Sequence, residues 1–249
     1  MTAAIENALI IFSRLPIGHE TKTRLAPILS ETQRSELHIA MWHDIFAEAL
    51  KLTDTDVYLY WTGSGNVEDY RQFIPSSFRL VKQDGSNLGE RMCNAMRDIF
   101  AAGYKRAVII GSDIPSARAE NILRAFNVLN DSDAVIGPSS DGGYWLIGMR
   151  KFISEAFGIS SWGNSSVLDE TVRTLRGLGI SCGITDTLDD LDTPEDIGQY
   201  ERLHTNAKTF TWEYLHYASY DNVSLVNSGT KTCGSRNISK RSEHSSFSL

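Results

Sequence analysis

The stretch AVIIGSDIP, residues 107–115, is a run of apolar, β-branched residues that stops at a glycine and then offers a carboxylate. An uninterrupted apolar run of this length suits a strand covered on both faces, where polar and apolar residues need not alternate. Asp113 falls just past the strand's carboxyl end, ahead of Pro115. A carboxylate there can hold a divalent cation, because Mg²⁺ and Mn²⁺ take oxygen ligands and share a substrate's phosphates. The same residue could instead cap a helix starting near Ser116, although Ser116 can serve as that cap itself.

Similar runs recur on either side, at residues 8–12 (ALIIF), 56–61 (DVYLYW), 78–81 and 134–137. Between the first two, Ser30 and Gln33 have capping-box spacing, and Leu37, Met41 and Ile45 with Trp42, Phe46 and Leu50 form rows at i, i+4. Further helices are predicted at 88–102, 117–129, 167–178 and 194–203. The last has Thr193 as N-cap, Pro194 in the first turn and Asp196 completing a box. Strand alternating with helix predicts an α/β fold, a mostly parallel sheet with helices on both faces. Ligands of such sheets sit beyond the carboxyl ends of the strands.

The chain has 249 residues, 41% of them hydrophobic, and a formal net charge of -7. That supports a sizeable core and argues against a nucleic-acid partner, which rewards a basic surface. No run reaches the length of a membrane span, and no signal peptide is visible at the start. Cys93, Cys182 and Cys233 are odd in number and widely spaced. A disulfide framework is therefore not expected, and a cytoplasmic location is. Residues 1–204 read as the domain, 205–226 as an aromatic-rich extension that docks on it or covers the site, and 227–249 as a disordered tail poor in apolar groups.

The loop after the first strand, FSRLPIGHETKTRLAP (12–27), carries Arg14, Lys22 and Arg24. Three cations there suit an anionic ligand: arginine as a bidentate donor to phosphate, lysine as a mobile point charge. Neither a Walker loop nor G-x-G-x-x-G occurs. GPSSDGGYWLIG (137–148) reads as a tight turn that presents Asp141, with Gly142 and Gly143 allowing close approach of the backbone. In QDGSNLGERM (83–92), Arg91 lies in the first turns of a helix and could reach a phosphate or pair at the surface. WGNSSVLDET (162–171) opens a helix with Ser166 and Asp169 spaced as a capping box. TLDDLDTPED (187–196) offers Asp190 or Asp192 as a second metal ligand. His38 and His43 read as helix residues.

Taken in order, these six segments resemble the GT-A-like transferases known as radical-SAM/selenodomain-associated transferases (DUF2064-like), one branch of which makes arsenosugars. The resemblance covers roughly residues 8–200. It implies a nucleotide-diphospho-sugar transferase fold with one reversed strand. It also implies that Arg14, Lys22, Arg24, Gln83, Gly85 and Arg91 contact the nucleotide, and that Asp113 holds Mg²⁺ or Mn²⁺; Asp192, from the acidic segment, is taken as the second ligand. Gly142, Gly143 and Trp162 would lie against substrate, with Asp141 accepting the acceptor's proton. On that pattern the chain moves a sugar from a nucleoside diphosphate sugar to a small-molecule acceptor. Two other readings stay open: a nucleotidyltransferase joining an NTP to a phosphorylated small molecule, since KTRL is similar to the basic loop of phospholactate guanylyltransferases, and a non-catalytic nucleotide-binding module.

Overall fold

The computed structural model of the chain describes residues 6–159, 162–204 and 208–216. Strands β1 (Asn7–Arg14), β2 (Thr55–Thr62), β3 (Arg79–Lys82), β4 (Arg106–Gly111), β5 (Ala134–Pro138), β6 (Tyr144–Met149) and β7 (Cys182–Ile184) form one sheet. Their order is β3-β2-β1-β4-β6-β5-β7. Neighbours are parallel except around β6, which runs against both β4 and β5. The reason is local. The connection from β5 to β6 is far too short for a crossover and allows only a hairpin. Gly142 makes that turn at φ 89°, where a side chain is strained.

Helices α1 (Glu31–Ala49), α2 (Leu88–Ala101), α3 (Ala119–Val128), α4 (Val167–Gly177) and α5 (Pro194–Leu203) complete the fold. The alternation of side chains along β1 divides the core. Leu9 and Ile11 face Trp42, Ile45 and Phe46 of α1 and Ile122 and Phe126 of α3. Ala8, Ile10 and Phe12 face Met92, Met96 and Ile99 of α2 and Leu175 of α4. A third cluster joins Leu25, Leu37 and Met41 to Leu191, Tyr200 and Leu215.

The predicted capping boxes form at Ser30 of α1 and Thr193 of α5. Two expectations fail. The Ser166 hydroxyl does not cap α4; it bonds Asn164 and Glu170 instead, and Asn164 Oδ1 accepts the Ser166 N–H at 2.9 Å. Nor does Ser116 cap α3, which begins at Ala119 after the N-cap residue Arg118; neither it nor Asp113 is needed there.

Every element named belongs to one unit that runs to Leu215. Past residue 204, the segment 208–215 lies on α1. The Asp44 carboxylate accepts the N–H groups of Phe210 and Thr211 at 2.8 and 2.9 Å, and Tyr214 donates to Gln33 O at 3.0 Å. The expected disordered tail, 227–249, and residues 217–226 lie outside the described residues. Among the described residues no helix is long and apolar enough to cross a membrane.

Candidate active site

The strand order reverses between β1 and β4, and the crevice at their carboxyl ends is where this sheet type binds ligands. The basic loop after β1 is fastened across that crevice. Arg34 of α1 donates to Gly18 O at 2.9 Å, and a Cβ on Gly18 would lie 2.0 Å from Glu31 O, so only glycine fits. The loop then turns through Lys22 at φ 49°, the one positive value among described residues other than glycine. That conformation costs a β-carbon residue roughly 1 kcal/mol or more.

What opposes this cost is the ammonium. Lys22 Nζ donates to Leu191 O at 2.7 Å and lies 3.0 Å from Asp113 Oδ2 and 3.8 Å from Asp192 Oδ1, its side chain 1% exposed. Arg24, two residues on, is 71% exposed and reaches Asp192 Oδ2 at 3.2 Å. Arg14, the last residue of β1, is exposed at the same edge. Lys22, Arg24, Asp113 and Asp192 thus come together at one edge of the sheet. Lys22 is a buried counter-ion here and not a mobile cation.

Burial alone would raise the Asp113 carboxyl, but the Lys22 ammonium, His38 and hydrogen bonds from Lys22 and Ser112 hold it below the usual range. Asp190 is pushed up to about 6. Burial contributes most; Lys22 opposes it, and Asp192, Asp113 and Asp141 add to it. Among the described residues no group of three or more His, Cys, Asp or Glu side chains could hold a metal. The donor chemistry nevertheless fits a hard cation. Three oxygens, from Asp113, Asp192 and Leu191, surround one positive charge, and Mg²⁺ typically fills its remaining sites with water and phosphate oxygens.

Other expected residues have structural duties. Gln83 Nε2 donates to Tyr60 O at 2.8 Å and Ser13 O at 3.3 Å, tying the ends of β1 and β2 together. Arg91 Nε donates to Gly85 O at 3.1 Å, which closes the turn into α2. Asp141 Oδ1 accepts from Ser139 Oγ and from Gly143 N, shaping the hairpin. A Cβ on Gly142 would lie 2.2 Å from Ser165 O, so that turn is pressed against the segment leading into α4. Trp162 is placed as a packing residue: it covers Gly89 of α2 and meets the Tyr144 ring edge-on at 6.3 Å. Asp141 and Asp190 do share a cavity of about 460 Å³ with Pro115, Leu191 and Tyr200.

Sequence reasoning missed four residues behind Asp113: Ser13, Thr21, His38 and Ser112, all buried and joined by hydrogen bonds. The available signal was positional. Ser13 and Ser112 each end an apolar strand next to a candidate residue, Arg14 or Asp113.

The model of a family described as uncharacterized protein conserved in bacteria (DUF2064) matches residues 45–164. The 2-phospho-L-lactate guanylyltransferase of Methanobrevibacter smithii is 29% identical over 195 residues, covering 76% of this chain and 83% of that protein. The 3-phospho-D-glycerate guanylyltransferase of Phenylobacterium zucineum is 26% identical, covering 74% and 86%. A solved structure from Desulfovibrio desulfuricans, assigned provisionally to the nucleotide-diphospho-sugar transferases, is 29% identical with a TM-score of 0.81 over 89% of this chain and 97% of its own. The chain is a transferase. Its α/β sheet is that of the nucleotidyl- and nucleotide-sugar transferases. Sugar transfer, the expected reaction, is overturned: the curated relatives of this transferase are guanylyltransferases. The error has a physical origin. Cations and carboxylates that hold a diphosphate hold a triphosphate equally well, so the residues alone do not say which bond breaks.

Proposed function

We propose that this transferase is a nucleotidyltransferase that joins the nucleoside monophosphate part of an NTP to a phosphorylated small molecule and releases pyrophosphate. The observation that carries the proposal is the Lys22–Asp113–Asp192–Arg24 cluster at the switch point, in a chain whose similarity to phospholactate and phosphoglycerate guanylyltransferases spans most of both lengths. In the reaction an oxygen of the acceptor's phosphate forms a bond to the α-phosphorus. The bond from that phosphorus to the pyrophosphate oxygen breaks, and pyrophosphate leaves with the electron pair.

Arg14 and Arg24, both exposed at the crevice, are the groups to meet phosphate oxygens through charge-assisted bonds. Asp113 and Asp192 are the carboxylates that would hold Mg²⁺ or Mn²⁺, whose contribution when bound is to neutralise charge on the phosphates. A phosphate nucleophile is already ionised at neutral pH, so Asp141 is not required as a base. The 460 Å³ cavity lined by Pro115, Asp141, Asp190 and Leu191 is the space for the acceptor.

The test is to supply each of the four NTPs with 2-phospho-L-lactate, 3-phospho-D-glycerate and other phosphorylated hydroxy acids, with Mg²⁺ or Mn²⁺. Pyrophosphate release that needs both substrates is the expected result, with GTP tried first. Acceptor-dependent release of a nucleoside diphosphate from a sugar nucleotide, with no pyrophosphate from any NTP, would reverse it.

A further inference from the structure

The parallel register sets Phe12 beside Gly111, so the next residues of each strand, Ser13 and Ser112, meet where the strand order reverses. Their hydroxyls are 2.7 Å apart. Ser13 Oγ also lies 3.0 Å from His38 Nε2 and accepts the Trp42 indole N–H at 2.7 Å. Thr21 Oγ1 bonds the other imidazole nitrogen, and Ser112 Oγ lies 3.2 Å from Asp113 Oδ1. Ser13, Thr21, His38 and Ser112 are between 1% and 4% exposed, and Trp42 is fully buried.

An indole only donates, and a carboxylate or carbonyl only accepts. Ser13 has one proton and two acceptors for it, Arg14 O at 2.8 Å and Ser112 Oγ at 2.7 Å. With that proton so used, His38 Nε2 carries a hydrogen and donates to Ser13, leaving Nδ1 to accept from Thr21. The network reaches Asp113 Oδ1 through Ser112, whose hydroxyl lies 3.2 Å away. The second carboxylate oxygen is held from the opposite side by Lys22 at 3.0 Å.

Such a chain is expensive to bury, and an apolar core would cost less. Elsewhere the faces of β1 are filled with Leu9, Ile10 and Ile11. The polar exception lies directly behind the carboxylate of the proposed site. We infer that Ser13, His38 and Ser112 are positioning residues that fix the rotamer of Asp113, with Thr21 and Trp42 fixing them in turn. The inference rests on the nucleotidyltransferase reading of Asp113, and its test separates the two.

Full-length protein carrying Ser112→Ala, His38→Leu or His38→Gln is compared with wild type, each also in an Asp113→Asn background. Binding of Mn²⁺ in the presence of GTP is followed by electron paramagnetic resonance, and folding by thermal unfolding. Loss of an outer hydrogen-bond partner is expected to weaken Mn²⁺–GTP binding about tenfold in Ser112→Ala and His38→Leu. His38→Gln, which keeps an N–H near the Nε2 position, should retain most of it. In the Asp113→Asn background neither Ser112→Ala nor His38→Leu should add a further loss. Equal losses in both backgrounds, or no loss in folded Ser112→Ala, overturn the positioning role. Ser112→Ala decides the matter if His38→Leu does not fold, since it removes a single oxygen. Unchanged Mn²⁺–GTP binding in Asp113→Asn alone removes the underlying reading of the site.

Discussion

Two acidic regions share the carboxyl edge of the sheet, and they are built oppositely. In the hairpin after β5, carboxylates are consumed by the backbone: Asp141 Oδ1 accepts from Gly143 N and Ser139 Oγ, and Asp189 accepts from Ser140 N and Oγ. After β4, a buried serine and a buried ammonium hold the two oxygens of Asp113, and among the described residues no backbone N–H does. The first arrangement shapes a loop and would survive without any ligand. The second confines negative charge around a cation, and a phosphate-bound metal can exploit it. Proximity to the crevice is therefore a poor guide to which aspartate acts, and the identity of its donors is a better one.

Replacing Asp113 by Asn tests that contrast most severely. Turnover should fall by roughly a hundredfold or more, as when a preorganised charged group is lost from a transition state. The melting temperature should fall as well, because the buried Lys22 ammonium loses its nearest negative partner and keeps Asp192 at 3.8 Å, so turnover is compared below the variant's own transition. Activity near wild type in a folded Asp113→Asn protein would break the comparison.

The polar chain behind Asp113 has no equivalent at the hairpin, and it leaves a signature in stability. Burial pulls His38 down to about 4; Asp113 opposes the shift, while Lys22 and Arg14 reinforce it. The unfolded imidazole titrates near 6.5. Above that pH both states are neutral and stability is fully present. As pH falls, the unfolded chain takes up the proton first, so stability is lost between about 6.5 and 4. The loss from this group amounts to roughly 3 kcal/mol. Urea denaturation across that range should show it, and His38→Gln should flatten that part of the profile.

Smaller effects follow at the periphery. Arg24→Ala removes one charge-assisted contact and should weaken NTP binding by about 1.5 kcal/mol, a tenfold change, with nucleoside binding unaffected. Calorimetry on both ligands distinguishes this from a packing loss. Asp141→Asn should change kcat/KM by no more than about threefold, since Asn keeps the oxygen that Gly143 and Ser139 address. A hundredfold loss there would give Asp141 the chemical role that the structure does not require.

Much of this architecture was readable in advance because it is local. Apolar runs gave the five strands β1 to β5, and spacing gave the boxes at Ser30 and Thr193. Lys22, Arg24 and Asp113 stand out as charged groups after buried strands, and Asp192 as one of the acidic residues gathered before the last helix. What was not readable depends on distant partners. The burial of Lys22 rests on Leu191, 169 residues away, and on a left-handed turn that nothing in KTRL announces. Ser13 and Ser112 are separated by 99 residues and meet only through strand pairing. His38 sits among Leu37 and Met41 on α1 and reads as one more core position. Trp162 is named by the resemblance of WGNSSVLDET, and its packing over Gly89, a residue far earlier in the chain, depends on tertiary structure that this segment does not announce.

The Asp44 carboxylate bears on where this protein can be cut. It is 6% exposed, and its two backbone donors both come from residues beyond the last helix of the sheet domain. A shortened chain ending at residue 204 would strip away both donors together with Leu215, and open Asp44 and the face of the same helix that carries Leu37 and Met41 to water. The loss is then chiefly the burial of Leu215, about 1.5–3 kcal/mol. The shortest autonomous form for expression or crystallisation accordingly ends no earlier than Leu215, and trimming to the sheet domain alone would loosen the helix that carries His38.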